Sequence, residues 1–181
     1  MNARFVYRAS HGGGFTLLEV MMGIVIVGVG YLAAMQLFAT CSQQNADSLR
    51  MTCAASLAGS IRELIARKSF VDPIAGYTEF GRGADETLVS QYDDVDDFDG
   101  QVFNPPIDAV DPNNPQTQPS LAAYSQLVSV VPVDIADFSK TLSKTSKNYQ
   151  AVRVTVNILY KPPGEVPPRN IYSLAWVECR R

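Results

Sequence analysis

A long apolar stretch near the N-terminus constrains this chain more than any other feature. From Phe15 to Ala39 the only ionisable side chains are those of Glu19 and Tyr31. Helical residues rise by ~1.5 Å each, so the stretch would span roughly 37 Å, enough to cross a hydrocarbon core of about 30 Å. The stretch therefore predicts a membrane-spanning helix, with the Glu19 carboxylate where such a helix should be apolar.

The residues before this stretch have the wrong order for an ordinary secretory signal. Such a signal is cleaved after its apolar segment, at a site of small residues. Here a polar leader (residues 1–14) containing Arg4 and Arg8 ends in three glycines, and the apolar stretch follows it. Cleavage after Gly14 would leave the apolar helix on the mature chain. The arginines would stay in the cytoplasm by the positive-inside rule, which places the C-terminal region across the membrane.

The junction Gly14-Phe15-Thr16-Leu17-Leu18-Glu19-Val20 resembles the class III signal of type IV pilins and type II secretion pseudopilins. The resemblance covers residues 12–40: a glycine before the cut, a phenylalanine after it, a glutamate five positions on and then a long apolar run. It implies that a membrane prepilin peptidase cuts between Gly14 and Phe15. It also implies methylation of the new N-terminus, giving N-methylphenylalanine at Phe15, and a role for Glu19 in filament assembly.

A lone carboxylate in an apolar helix needs a physical explanation. Insertion scales assign a cost on the order of 3 kcal/mol to an unpaired acid near mid-helix. In a filament of such helices, the free N-terminal amine of a neighbouring subunit is the obvious partner for Glu19. Glu19 would then need no partner within its own chain, because the amine of a neighbouring subunit would pair with it on assembly. The alternative is a plain signal anchor that happens to contain a glutamate.

The helical pattern continues beyond the membrane half (residues 15–40) as an amphipathic half (residues 41–68). Apolar residues recur there at spacings of three and four, with charged residues between them. They are Ala46, Leu49, Cys53, Leu57, Ile61, Leu64 and Ile65. Asp72-Pro73 marks the end of the pattern. A helix from Phe15 to about Lys68 would be roughly 80 Å long, and its second half would open a globular domain covering residues 41–181.

The rest of that domain divides into an acidic and proline-rich loop region, 69–120, and a strand-rich region, 121–179. Ser125 to Val133, Tyr149 to Tyr160 and Ile171 to Cys179 have the composition or alternation of strands. The turn-forming stretch "KPPGEVPPRN" predicts that the second and third are antiparallel. We therefore predict an α+β domain with the amphipathic half-helix lying across an antiparallel β-meander. The pilin-like fold implied by the resemblance has the same plan.

The most conspicuous polar segment is "SQYDDVDDFDG", Ser90 to Gly100. Calcium binding through Asp93–Asp99 is one hypothesis, because that ion prefers oxygen ligands. The EF-hand pattern fails, however. With its glycine at Gly100, the pattern needs acids at positions 95, 97 and 99, and position 95 is Val. The glutamate expected at the twelfth position of that loop falls on Pro106. A paired-carboxylate glycosidase site is another hypothesis, but nothing else suggests a sugar cleft. We favour an acidic surface loop with Val95 and Phe98 packed into the core.

Three cysteines, Cys41, Cys53 and Cys179, lie outside the apolar stretch, and their spacing argues against zinc or thioredoxin-type chemistry. Cys41 and Cys53 would lie about 18 Å apart on one helix, too far to bridge. Cys53 lies on the apolar stripe and Cys179 ends the last strand. The predicted disulfide is therefore Cys53–Cys179, with two buried free thiols as the alternative.

Charge and histidine content argue against several functional classes. After Gly14 the chain carries 13 basic and 18 acidic side chains, and eleven of the acids lie between Asp72 and Asp111. Such a chain repels phosphate backbones, so nucleic acid is not an expected partner of the main body. The single histidine, His11, lies in the leader, so the mature chain has no imidazole base. We therefore predict no enzymatic activity, no metal and no cofactor, with calcium as the open alternative.

Two short stretches are similar to those of minor pilins of the mannose-sensitive haemagglutinin class and the pilus-modification class. They are "VDDF" at Val95 to Phe98, within the acidic segment, and "RELIARKSF" at Arg62 to Phe70. The resemblance implies a minor type IV pilin, anchored in the bacterial inner membrane by one helix with its C-terminal domain in the periplasm. It would enter a pilus in low copy and prime or modify assembly. Its implied partners are the prepilin peptidase, other pilin subunits through the N-terminal helix and the inner-membrane assembly platform.

Two other functions fit the same residues. Within the resembled family, the alternative is a minor pseudopilin of a type II secretion system, because the signal region is common to both. From a different class, the alternative is a membrane-tethered periplasmic module that binds sugar or calcium through its acidic loop.

Overall fold

The computed structural model describes residues 13–73, 80–111, 115–146, 149–162, 164 and 167–180. Within these ranges the chain forms one long helix, α1 (Leu17–Ile65), and a five-stranded antiparallel sheet. It divides into two compact units, Met1–Asp47 and Ser48–Arg181. The α+β plan predicted from the sequence is confirmed at this level. The helix ends three residues before the predicted position.

In the first unit the helix exposes apolar side chains on all its faces. Every residue from Gly13 to Asn45 is exposed. By length and composition, α1 contains a segment able to cross a membrane. Burying apolar surface is favourable by about 25 cal/mol per Å². An uncovered apolar surface of this extent is suited to contact with lipid or with another apolar surface.

In the second unit α1 buries one face. The buried positions recur every three or four residues and are Ala54, Leu57, Ala58, Ile61, Leu64 and Ile65. The predicted amphipathic stripe is confirmed over this part of the helix. Leu49, which was assigned to the same stripe, is 65% exposed. The packed segment therefore begins later than the predicted start at residue 41.

The strands are β1 (Val102–Phe103), β2 (Tyr124–Asp134), β3 (Asp137–Thr141), β4 (Ala151–Tyr160) and β5 (Arg169–Cys179). Their order is β1-β2-β4-β5, with all neighbours antiparallel, and β3 also pairs with β2. The three predicted strands correspond to β2, β4 and β5. Their predicted bounds lie within two residues of the observed ones, and the predicted antiparallel pairing of the last two is confirmed.

Alternation of side chains decides which face of the sheet is buried. Successive residues of a strand point to opposite faces, and in β4 the buried set is Val152, Val154, Val156 and Ile158. These residues form one apolar cluster with Leu57 and Ile61 of α1 and with Val128 and Val130 of β2. The core of the second unit therefore lies between the helix and the inner face of the sheet.

Two strands were absent from the sequence prediction. β1 has two residues, too few for any periodicity to appear. All five residues of β3 are exposed, so this strand has no apolar face to reveal it. A tight turn connects β2 to β3, and in it the Asp134 carboxylate accepts a hydrogen bond from the Ala136 N–H at 2.9 Å. Polar strands of this kind depend on the strand beside them for their conformation.

The structure corrects the predicted Cys53–Cys179 disulfide. All three cysteines lie among the described residues and are free thiols. Cys53 lies beside Tyr124, the first residue of β2, which pairs with Tyr160 at the end of β4. Cys179 pairs with Ala151 at the opposite end of β4. A strand of this length spans about 30 Å, whereas bridged Cα atoms lie within about 7 Å.

A buried glutamine connects the helix, the sheet and the loop region. The side chain of Gln126 on β2 is fully buried. Its Nε2 donates to the Leu57 carbonyl oxygen at 2.9 Å and to the Ile107 carbonyl oxygen at 3.0 Å. Its Oε1 accepts from the Ile107 N–H at 2.8 Å. Because an unsatisfied buried amide is costly, this one side chain makes the three elements depend on one another.

We expect Gln126→Met to lower the free energy of unfolding by about 2–3 kcal/mol. The methionine keeps the volume of the side chain but leaves the buried Ile107 N–H without its acceptor. Urea unfolding of the full chain in detergent, followed by circular dichroism, measures the change. Gln150→Met, at an exposed position, is the control and should change stability by less than about 0.5 kcal/mol. Equal losses in the two variants would contradict the assigned role of Gln126.

Candidate functional site

The first turn of α1 supplies Glu19 with partners. Thr16 precedes the helix, and its Oγ1 accepts a hydrogen bond from the Glu19 N–H at 3.3 Å. The Glu19 Oε2 accepts in return from the Thr16 N–H at 3.4 Å. This reciprocal arrangement is a capping box, and it places the carboxylate at the positive end of the helix dipole. Glu19 is therefore a first-turn residue, which corrects the assumption of an unpaired acid near mid-helix.

The segment before the helix is exposed and non-helical. It covers residues 13–16, and within it Phe15 is 83% exposed. A Cβ atom built on Gly14 would meet no atom within 4 Å, and the same holds for Gly13. The fold of the described chain therefore does not require glycine at either position. Arg4, Arg8 and His11 of the predicted leader lie outside the described residues.

The acidic segment is not the surface loop that we predicted. Val95 and Phe98 are buried, as expected, at 1% and 0% exposure. Asp94, Asp96 and Asp97 are buried as well, each with only 3% of its surface exposed. The segment turns inward through a short 3-10 helix, Asp96–Phe98. Carboxylates at this depth need specific partners, because a buried charge without them is strongly unfavourable.

Backbone amides of the same segment supply most of those partners. The Asp94 Oδ1 accepts from the N–H groups of Asp96 and Asp97 at 2.9 and 3.1 Å. The Asp97 Oδ2 accepts from the N–H groups of Asp93 and Asp94 at 2.9 and 3.1 Å. Asp94 thus binds the backbone at Asp96 and Asp97, and Asp97 binds the backbone at Asp93 and Asp94, so the two carboxylates stabilise the same turn. The carboxylates replace the backbone partners that a regular helix or sheet would have provided.

Asp96 extends the network beyond this turn. Its Oδ2 accepts from the Gly81 N–H at 2.8 Å, and its Oδ1 accepts from the Tyr149 hydroxyl at 3.3 Å. Gly81 has a φ of +93°, a conformation that residues with a side chain rarely adopt. The Asp96 carboxylate therefore joins three separate parts of the chain.

Burial raises the pKa of all three buried acids. The pKa of Asp94 rises to about 9, first through desolvation and then through the negative charges of Asp96 and Asp97. Burial also raises the pKa of Asp96 and Asp97, although backbone amides that donate to them oppose the shift. Asp94 is therefore protonated at neutral pH, and its carboxyl group shares a hydrogen bond with that of Asp96.

A second group of acids lies at the border of this network. Glu86, Asp93 and Asp97 each place a carboxylate oxygen within 4.8 Å of the others. Burial and the neighbouring acids raise the pKa of Glu86 and of Asp93. Three carboxylate oxygens at this separation have the chemistry that hard cations such as Ca²⁺ prefer. Calcium binding stays the untested alternative to the predicted absence of a metal, and Glu86 joins the Asp93–Asp99 segment as a candidate ligand.

A cleft of about 340 Å³ lies elsewhere, between the segment that follows α1 and the end of β5. Its lining residues are Ala66, Lys68, Ser69, Phe70, Val71, Glu178, Cys179 and Arg180. The acids of the Asp93–Asp99 segment do not line it. The buried carboxylates are engaged with the backbone, so their geometry offers no support for a paired-carboxylate glycosidase site.

Three features of these sites were not recognised in the sequence. The capping box was readable, since Thr16 and Glu19 have the spacing that defines it. The burial of Asp94, Asp96 and Asp97 had no sequence signal, because a run of acids is ordinarily solvated. Glu86 was also missed as a neighbour of the acidic segment, since it precedes Asp93 by seven positions in the chain.

We expect the protein to become less stable as pH rises from about 4 towards 9. The unfolded chain releases the Asp94 proton near pH ~3.9, whereas the folded chain holds it up to about 9. The stabilising contribution is complete below the unfolded pKa and is lost as pH rises through this window. One such proton changes the free energy of unfolding by at most about 1.4 kcal/mol per pH unit.

Asp94→Asn should reduce this slope, because an amide oxygen still accepts from the Asp96 and Asp97 N–H groups but cannot ionise; the other acids with raised pKa values keep their own contributions. Urea unfolding at about pH 5 and about pH 8 measures the difference. Asp137→Asn is the control: this exposed carboxyl has its pKa lowered by hydrogen bonds from Ser139, so its contribution is constant over that interval. A wild-type slope in the Asp94→Asn protein would contradict the role assigned to Asp94.

Comparison with known proteins does not assign a family to the chain. No family model, no curated protein and no solved structure matches it. The functional argument therefore depends on the residues and their geometry alone.

Proposed function

We propose that this chain is a minor type IV pilin. It is made as a precursor, cleaved by prepilin peptidase after Gly14 and methylated on the new N-terminus of Phe15. It is held in the bacterial inner membrane by the apolar part of α1, with its C-terminal domain in the periplasm. It then enters a pilus in low copy and primes or modifies its assembly. Its contribution is structural, made through contacts with other subunits.

The observation that carries this proposal is the arrangement of residues at the start of α1. An exposed, non-helical segment of residues 13–16 leads directly into the helix. A peptidase needs an accessible backbone that is not already in a helix, and this segment meets both conditions. Gly14 has no role in the fold around it. Its identity is then explained by the close approach of another molecule, since only glycine lacks a Cβ.

Glu19 is suited to pair with a neighbouring subunit. It lies four residues after Phe15, in the first turn of α1, and the capping box holds its carboxylate at the helix terminus. A neighbouring chain staggered by about one turn would bring its Phe15 amine beside this carboxylate. In a medium of low dielectric constant, each charge is costly alone and the pair is much less so. Formation of this pair would favour the assembled state over the free subunit.

The exposed apolar surface of the first unit supports the same proposal. Lipid can cover this surface before assembly, and the helices of other subunits can cover it afterwards. Gly23, Gly28 and Gly30 lie on this segment, and a Cβ built on any of them would meet no atom within 4 Å. Small residues allow helices to approach closely in a membrane. The segment can therefore exchange lipid contacts for helix contacts.

Two alternative functions remain distinguishable by experiment. A minor pseudopilin of a type II secretion system would have the same processing and the same helix, but would be missing from sheared pili. A membrane-tethered calcium-binding module is favoured by the cluster of Glu86, Asp93 and Asp97. It would bind calcium with the same affinity whether or not Glu19 is intact, and its loss would leave piliation unchanged.

We expect Gly14→Val to leave an uncut precursor in the membrane. A valine side chain would block the close approach of the peptidase without disturbing the chain's own packing, since the position is open. Mass spectrometry of the purified protein reports the mature N-terminus. Gly13→Val is the matched control, because its surroundings are equally open, and we expect it to be cut. Normal processing of Gly14→Val would contradict the assignment of the cleavage site.

Glu19→Leu should give a mature-length protein that stays in the inner membrane and is missing from sheared filaments. The leucine removes the carboxylate and favours membrane insertion. Glu19→Gln should fail in the same way, because it retains an acceptor for the Thr16 N–H but carries no charge. Immunoblots of membrane and sheared fractions measure the distribution.

Thr16→Ala separates the two roles of the first turn. It weakens the cap, at a cost of about 1 kcal/mol of helix stability, but keeps the Glu19 charge, so this variant should still enter filaments. If Glu19→Gln assembled normally and Thr16→Ala did not, capping of the helix would be the requirement and the proposed ion pair would be wrong.

A further inference from the structure

The cleft between the segment that follows α1 and the end of β5 is large enough for a small ligand. Its volume is about 340 Å³, and pockets that bind small molecules measure about 300–1,000 Å³. All its lining residues belong to the second unit. Neither the Gly14–Glu19 junction nor the Asp93–Asp99 segment lines it, so the proposed processing and the acidic network leave this cleft unexplained.

One wall of the cleft is held by the acidic segment. The Ser69 N–H donates to the Asp93 carbonyl oxygen at 3.1 Å, and the Ser69 carbonyl oxygen accepts from the Val95 N–H at 3.1 Å. Lys68 lines the same wall and donates through its Nζ to the Tyr92 carbonyl oxygen. The backbone of this wall is therefore fixed by residues outside the cleft.

The other wall is held by the start of β4 and the residue before it. Cys179 ends β5 and pairs with Ala151, and the Arg180 N–H donates to the Gln150 carbonyl oxygen at 2.9 Å. Among the described residues, no main-chain hydrogen bond joins this wall to the first one. Each wall thus has its own support, and the cleft between them is preformed.

The acid that lines the cleft favours a cationic group. The Glu178 side chain is half-buried. None of the described residues donates a hydrogen bond to its carboxylate or forms an ion pair with it. Partial burial of a carboxylate without a partner is unfavourable. An ammonium group of a ligand in the cleft would supply both the opposite charge and N–H donors.

The two cations that line the cleft favour an anionic group. They are Lys68 and Arg180. Both also interact within the chain: Lys68 binds the Tyr92 carbonyl oxygen and lies near the Asp93 carboxylate, and Arg180 has an interaction of its own. An ammonium has three N–H donors and a guanidinium has five. These side chains can therefore also donate to a carboxylate in the cleft.

The rest of the lining is largely apolar. Phe70 and Val71 are half-buried, and Ala66 lies beside them in the cleft. The Phe70 ring packs on the Tyr149 ring, with 5.7 Å between centroids, so its position is set by the fold. An apolar side chain of a ligand would gain by leaving water for this surface.

We propose that this cleft binds a free α-amino acid with an apolar side chain. The ammonium of the ligand donates to Glu178, its carboxylate accepts from Lys68 and Arg180, and its side chain packs against Phe70. A ligand with only one of the two charges leaves one side of the cleft without its partner. The volume of the cleft, at the lower end of the usual range, favours a single amino acid over a longer peptide.

The chain contains its own reporter for this site. Cys179 is an exposed free thiol that lines the cleft, and Cys41 is an exposed free thiol on the first unit. The test uses the full chain in detergent, L-phenylalanine as the probe and iodoacetamide as a neutral alkylating reagent. Because a bound ligand fills most of such a pocket, saturating L-phenylalanine should slow alkylation of Cys179 by at least about threefold. Mass spectrometry of the two cysteine peptides measures both rates. Unchanged alkylation of Cys179, or equal slowing at Cys41, would overturn the proposal.

Two analogues of the probe test the need for both charges. 3-Phenylpropionate lacks the ammonium group and phenethylamine lacks the carboxylate. Each should protect Cys179 with an affinity about two- to fivefold lower than that of L-phenylalanine, as expected for loss of one partly exposed ion pair. Equal affinities of the three compounds would show that only the apolar surface binds, and would overturn the choice of ligand.

A pair of variants assigns the charges of the ligand to residues. Glu178→Gln should weaken binding of L-phenylalanine by about two- to fivefold and leave 3-phenylpropionate, which has no ammonium, unchanged. Arg180→Gln should weaken both of these ligands and leave phenethylamine unchanged. Glu63→Gln, at an exposed position of α1 outside the cleft, is the control and should change none of the affinities. Circular dichroism checks that each variant is folded. Equal effects of Glu178→Gln and Glu63→Gln would contradict the role assigned to Glu178.

Discussion

The packing of the second part of α1 against the inner face of β2 and β4 is the interaction on which the rest of the structure depends. Leu57, Ile61, Val128 and Val154 lie in one buried cluster, and the strands β2 and β4 that carry it pair with β1, β3 and β5. Each fully buried aliphatic side chain contributes roughly 1.5–3 kcal/mol. Gln126 adds direction to this non-specific attraction, because its three hydrogen bonds require one relative placement of helix, strand and loop.

The acidic segment shows how a polar sequence can become part of a core. Its carboxylates supply acceptors to backbone N–H groups that have no strand or helix partner. The cost of desolvating several acids is limited by protonation, since Asp94 is neutral at ordinary pH with a pKa of about 9. The loop is thus held by hydrogen bonds whose strength depends on the protonation state of the cluster. Stability of the domain and pH are therefore physically coupled.

At the other end of the chain, one carboxylate serves two states. In the free chain Glu19 belongs to the capping box with Thr16, so an apolar helix can carry it without leaving it unpaired. In the proposed filament the same carboxylate faces the amine of a neighbour. Under that proposal the intrachain hydrogen bonds would hold the carboxylate before assembly, and an ion pair with the amine would replace them afterwards. The capping box gives Glu19 hydrogen-bond partners within its own chain, which the sequence argument had left to the neighbouring subunit.

Composition and local spacing in the sequence determined α1, β2, β4 and β5. The second half of α1 and β4 repeat their apolar residues with the period of their own backbone, whereas the first half of α1, β2 and β5 were indicated by their apolar composition. The sequence also predicted the burial of Val95 and Phe98, which the structure confirms. Tertiary structure alone decided that Asp94, Asp96 and Asp97 are buried, that β3 is a strand and that Cys53 and Cys179 lie at opposite ends of the sheet. These outcomes depend on which residues distant in the chain come to lie side by side, and that information is absent from any local pattern.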